Sequence, residues 1–224
     1  MIILLKMIRK ETIEIIPAIL TDNPQEAREL IAKADGVVKR VHIDIVDGVF
    51  ADNKTIDPFA LNEVDHSLLL DFHLMVNEPV RWVEKCVRAG GDRVIGHVEM
   101  MESVSEFISE VTEAGLSPGL AFDLDTSIEN VEKRLLLDAD VVLVMSVLAG
   151  FAGQKFHPEI LDKISKLNKI RRTDATPFNI CDDGGVTIEY VDDVRSKGAD
   201  EVVIGQRIFE GDLAKNINAY KKAA

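Results

Sequence analysis

The segment His42-Ile43-Asp44-Ile45-Val46-Asp47-Gly48 sets an imidazole and a carboxylate two positions apart in a β-branched run that reads as a strand. Side chains at i and i+2 of a strand share a face. If that face is buried, both groups are costly there unless hydrogen bonds, a metal or a substrate compensates. Further polar residues close other apolar runs: Asp71 and His73, His97 and Glu99, Asp182 and Asp183. Imidazole and carboxylate donors in such a mixture suit a divalent transition metal, whether zinc, iron, manganese or cobalt. Carboxylates so placed are also candidates for proton transfer.

A second group of residues suits an anion. Gly150-Phe151-Ala152-Gly153-Gln154, Gly184-Gly185 and Gly205-Gln206 each follow an apolar run late in the chain. Small residues let the backbone approach a phosphate closely, although glycine pairs also serve as plain turns. Met75 and Met145 sit at strand ends near these features, and by default such residues are core.

Holding these residues on one face is a task for the elements around them. Short β-branched runs alternate with longer amphipathic ones along the whole chain, the mark of βα units around a parallel sheet. Strands are expected at Ile13–Ile16, Val41–Ile45, Leu69–Leu74, Arg93–His97, Gly119–Asp123, Val141–Ser146, Pro177–Cys181 and Glu201–Ile204. Helical patterns cover Pro24–Ala34, Pro79–Ala89, Val104–Ala114, Ile128–Leu137, Pro158–Arg171, Ile188–Lys197 and Leu213–Lys222. Asn23 before Pro24 reads as an N-cap, Ser127 offers another, and Gly36, Gly90, Gly115 and Gly198 follow helices. Eight strands, each with an intervening or following helix, fit a closed (β/α)8 TIM barrel better than an open sheet. In that fold chemistry sits at the carboxyl ends of the strands, and phosphate at the loops after the last ones. Four polar strand ends on one face are then hard to explain as separately satisfied core groups.

The chain has 224 residues, 46% of them hydrophobic, and is expected to form one domain over residues 1–224. A formal net charge of -13 disfavours nucleic acid or an anionic membrane as the main partner. Cys86 and Cys181 are too few for a disulfide framework, suit a reducing cytosol and read as buried small hydrophobes. The run Met1-Ile2-Ile3-Leu4-Leu5 is broken by Lys6, Arg9 and Lys10 and reads as neither a membrane span nor a signal peptide. No later stretch is long and apolar enough to span, so a cytoplasmic protein is expected. Barrels of this size often associate, and the apolar amino terminus is a candidate contact in a homo-oligomer.

From about Ile15 to Phe209 the chain resembles the ribulose-phosphate 3-epimerase family. The segments that carry the resemblance are HIDIVDGVFADNKT (42–55), FHLMVNEP (72–79), HVE (97–99), VMSVLAGFAGQKF (144–156), DGGV (183–186) and GADEVVIGQRIF (198–209). The resemblance implies a metal-dependent enzyme that interconverts D-ribulose 5-phosphate and D-xylulose 5-phosphate through an enediolate. It implies one divalent ion held by His42, Asp44, His73 and Asp183, with Asp44 and Asp183 as the acid/base pair on opposite faces of the substrate. It also implies that Met75 and Met145 line the site, and that Gly150, Gly153, Gly184, Gly185, Gly205 and Gln206 hold the phosphate. Inversion needs two groups, since one removes a proton from one side while the other delivers a proton to the opposite side.

The chain departs from the family pattern at Ala18, Val46, Asp52, the Leu148-Ala149-Gly150 run and Gln206. These are mostly positions around the substrate, not the metal and acid/base positions. A 3-epimerase of a ketohexose phosphate such as allulose 6-phosphate is therefore an alternative. A degenerate barrel that only binds a phosphorylated ligand is another, against which the retained Asp44 and Asp183 argue.

Overall fold

The computed structural model describes residues 12–173 and 177–224. The apolar run Met1–Leu5, and with it the proposed contact at the amino terminus, lies outside the described residues. Eight parallel strands close in sequence order: β1 (Glu14–Ile19), β2 (Arg40–Val46), β3 (Leu69–Met75), β4 (Arg93–His97), β5 (Ser117–Phe122), β6 (Val141–Met145), β7 (Asn179–Asp183) and β8 (Glu201–Ile204), with β8 pairing back onto β1. The barrel expected from the alternation is therefore present.

Around it lie α1 (Pro24–Ala34), α2 (Val83–Arg88), α3 (Val104–Glu113), α4 (Lys133–Asp138), α5 (Ile160–Arg171), α6 (Val191–Lys197) and α7 (Leu213–Ala223). Among the described residues there are seven α-helices, not eight. Between β2 and β3 the chain makes only a 3₁₀ turn, Pro58–Leu61, capped by Asp57. Much of that connection is instead spent on a loop over the barrel mouth. Two other expected helices are divided: Pro79–Trp82 and Ile128–Asn130 are 3₁₀ turns that precede α2 and α4. Asn23 caps α1 as expected, its side chain accepting from the Gln25 and Glu26 amides. Ser127 caps only the 3₁₀ turn. Strand β1 runs past the expected Ile16 because Ala18 and Ile19 pair with His42 and Ile43 of β2.

Alternation along the strands makes two cores. Outward residues such as Ile15, Ile43, Phe72, Val142 and Val202 pack under Ile31, Phe107, Ile164 and Val194 of the helices. Inward residues Ile16, Ala18, Ile95, Ala121, Leu143, Cys181 and Val203 fill the barrel. Both cysteines are free and buried, as their reading as small hydrophobes requires. No helix of the described residues is long and apolar enough to cross a membrane.

The inward face changes character along the axis. Its amino-terminal layer holds Arg40, Asp71, Arg93 and Glu201, with Arg93 paired to Asp71 and 2.7 Å from Glu201, and Arg40 paired to Asp71. Asp71 was expected among the polar strand ends. It lies instead near the start of β3, one layer below His73 and on the far side of it from the mouth, where two arginines satisfy it.

Candidate active site

Strands β2, β3 and β7 bring His42, Asp44, His73 and Asp183 together near the mouth. Register explains the meeting of the first three, since Asp44 lies opposite His73 across the β2–β3 ladder. His73 Nδ1 is 3.0 Å from Asp44 Oδ1 and 3.6 Å from Asp183 Oδ2; His42 Nε2 is 3.4 Å and 3.7 Å from the same two oxygens. One donor atom from each of the four residues lies within 4.8 Å of all the others. Bonds of about 2.0–2.2 Å to a central ion set tetrahedral donors roughly 3.4 Å apart, close to what is found. Both imidazoles are fully buried, and neither ring nitrogen of His42 has a hydrogen-bond partner. A buried, unpartnered imidazole beside two carboxylates is costly by itself and is compensated by a cation, so this set of residues fits a divalent metal.

The two carboxyl groups differ. Burial acts to raise Asp44, but the two imidazoles beside it, with His73 Nδ1 at 3.0 Å, outweigh that and hold the group well below the ordinary carboxylate range. Burial and the charge of Asp44 push Asp183 up. Burial, with His42 and His97 nearby, keeps the His73 ring neutral.

Beside the cluster lies a cavity of about 360 Å³, lined by Asp44, Asp183, Met75, Met145, Ala18 and Leu20 at its inner end. Its outer wall includes Gly150, Gly153, Gly184, Gly185, Gly205 and Gln206. Every residue that the resemblance implied for the metal, the proton transfers or the phosphate is thus in the cluster or on this cavity, whereas Asp71, His97, Glu99 and Asp182, the other polar residues at strand ends, are in neither. Gly185 is constrained on two counts: its φ is +65°, and a Cβ there would lie 2.6 Å from the Phe156 amide nitrogen. A side chain would push apart the loops after β6 and β7.

Asp182 is not part of the site. It is next to Asp183 on a strand and so points to the opposite face, where the Ser146 hydroxyl donates to it and it is buried against the outer layer. Of the other departures, Val46 lies in the inner core, Ala149 is buried and Asp52 is exposed.

Several site residues were not singled out in the sequence. Phe50 covers His97, with ring centroids 4.5 Å apart. Asp47 fixes its loop by accepting from the Val49, Phe50 and Asn77 amides. The Asn53 side chain donates to the Gly150 carbonyl at 2.7 Å, tying the β2 loop to the β6 loop across the mouth. The signal available was that all three fall within the segment 42–55 already quoted for its resemblance.

Residues 14–209 match the sequence profile of the ribulose-phosphate 3 epimerase family. The chain belongs to the ribulose-phosphate 3-epimerase family. Relatives named ribulose-phosphate 3-epimerase include one from Chlamydia pneumoniae, 37% identical over 77% of this chain and 76% of its own length. The Escherichia coli K12 protein is 34% identical over 82% and 81%, and that of Bacillus subtilis 31% identical over 92% and 97%. As a family member the chain is a ketose-phosphate 3-epimerase, an isomerase acting on carbohydrates. Among solved structures, 3-hexulose-6-phosphate synthase from Salmonella typhimurium superposes with a TM-score of 0.68 at 20% identity, covering 94% of this chain and 98% of that one. 3-Keto-L-gulonate-6-phosphate decarboxylase from Vibrio cholerae gives 0.67 at 12% identity, with 95% and 97% covered. At these identities the two share the fold alone with this family member.

Proposed function

We propose that the chain interconverts D-ribulose 5-phosphate and D-xylulose 5-phosphate, with Asp44 and Asp183 as the two proton-transfer groups. The observation that carries this reading is that two carboxyl groups, Asp44 from β2 and Asp183 from β7, line one cavity beside the two histidines. Two-base inversion needs one group ready to accept a proton and another ready to give one. Asp44 takes the proton from carbon 3 of one epimer, and Asp183 returns one to the opposite face; in the reverse direction the roles exchange.

His42, Asp44, His73 and Asp183 would hold one divalent ion, zinc, iron, manganese or cobalt. When bound, that ion supplies Lewis-acid polarisation of the substrate oxygens. Met75 and Met145 present apolar walls beside the carboxyl groups and limit water there. Backbone amides of Gly150, Gly153, Gly184, Gly185, Gly205 and Gln206 bind the phosphate at the outer end.

A ketohexose phosphate is the second reading. Ala18 and Gln206 both line the cavity, so the departures fall where substrate size and polarity are sensed. The test is turnover of D-ribulose 5-phosphate and of allulose 6-phosphate by purified protein, with chelator, with each metal restored, and with Asp44→Asn. Chelator-sensitive formation of xylulose 5-phosphate, reduced about 10²–10⁴-fold in the variant, is expected. Faster turnover of the hexose phosphate would reassign the substrate. Substantial activity in Asp44→Asn would remove the two-base assignment.

A further inference from the structure

His73 uses only one of its ring nitrogens in the cluster. Its Nε2 is 3.0 Å from Nε2 of His97, and the ring centroids are 5.0 Å apart at 23°, so the rings meet end to end and not face to face. His97 Nδ1 is in turn 3.0 Å from Glu99 Oε2. The other oxygen, Glu99 Oε1, accepts from the Asp123 amide at 2.7 Å. His97 is fully buried under Phe50, so water does not complete this chain from that side.

We propose that Glu99 and His97 are positioning residues that fix which nitrogen of His73 carries a proton, leaving Nδ1 bare toward the gap between Asp44 and Asp183. The inference rests on the metal assignment made above. An ionised carboxylate only accepts, so His97 Nδ1 must carry a hydrogen to face Glu99. In a neutral ring His97 Nε2 is then an acceptor, and His73 Nε2 must donate to it. Nδ1 of His73 is left with its lone pair directed at the cluster, ready for a cation. Every donor in the line points away from the cluster and ends on Glu99. Burial acts to raise Glu99, but hydrogen bonds from His97, Thr126 and the Asp123 amide oppose it and hold the carboxyl low, which keeps it in the accepting form. Partners of this kind commonly govern metal affinity by about 10–100-fold.

Glu99→Gln is a discriminating change because it keeps shape and removes one acceptor. The Asp123 amide is a backbone donor and cannot reverse, so it claims the single amide oxygen, and the NH₂ group is turned to His97 Nδ1. His97 is then driven to carry its hydrogen on Nε2, and His73 to carry its own on Nδ1, where a cation must bind. Zinc titrated into metal-stripped protein against a chelator should bind the variant about 10–100-fold more weakly than wild type. Long-range ¹⁵N–¹H spectra of zinc-loaded wild type should show His97 protonated at Nδ1 and His73 at Nε2, a readout that needs no variant. Wild-type zinc binding with Glu99→Gln equally tight would overturn the positioning role and leave the metal assignment standing, as would His97 protonated at Nε2 in loaded wild type. Wild-type protein that binds neither zinc nor manganese would overturn the metal assignment and this inference with it.

Discussion

Two adjacent carboxyl groups on β7 show how far one position changes a residue's chemistry. Asp183 faces the cavity, whereas Asp182 is buried on the outer face with only the Ser146 hydroxyl donating to it, and its Oδ2 has no hydrogen-bond partner. Burial, which the Ser146 hydrogen bond only partly offsets, pushes the Asp182 carboxyl up to about 8. In the unfolded chain the group titrates near 4. The stability carried by neutral, buried Asp182 is thus complete below about pH 4 and is lost as pH rises to about 8. Asp182→Asn should therefore melt above wild type at pH 8, by about 2–4 °C for each kcal/mol removed, with the gap closing toward pH 4. Melting curves that stay parallel across that range would contradict it. At this scale the sequence was readable where strand period and residue type agreed, as at His42 and Asp44. Asp71 and Asp182 were sorted with the site because a polar residue near a strand's end resembles a site residue until the strand's first residue and its inward face are known.

Loops and helices have their own determinants. The β6 and β7 loops pack so tightly at Gly185 that a Cβ would meet both the Phe156 nitrogen at 2.6 Å and the Gln154 oxygen at 2.9 Å. Gly185→Ala must also hold a left-handed backbone, and should raise KM for the sugar phosphate about tenfold or more while lowering kcat less. An unchanged KM would place the phosphate elsewhere. Amphipathic period located most helices, because faces such as Phe107–Ile108–Val111 on α3 must be buried for the helix to form. It gave no warning that residues 128–137 divide into a 3₁₀ turn and a short helix. The same period picked out no helix between β2 and β3, and only the 3₁₀ turn Pro58–Leu61 forms there.

Across the whole molecule the barrel axis separates two charged layers. At the amino-terminal end Arg93 compensates Asp71 and Glu201, all three nearly inaccessible to water. Arg93→Met would leave two buried carboxylates with one arginine, Arg40, on Asp71, and should cost about 3–5 kcal/mol, seen as a fall in Tm of order 10 °C. The folded fraction should keep its kcat, since the reacting groups lie at the opposite end; a loss of kcat at temperatures well below Tm would show that the layers communicate. Closure of the sheet was legible in the regular alternation of elements, whereas this charged floor was not, because its members come from β2, β3, β4 and β8 and no local pattern links them. The bond from Asn53 to Gly150 also has a bearing on ancestry. The acceptor is a main-chain carbonyl, present whatever side chains the neighbouring loop carries. Exposed side chains of the β6 loop such as Leu148 can therefore change while the mouth stays latched, whereas Gly150 itself, where a Cβ would lie 2.5 Å from that of Ala51, cannot.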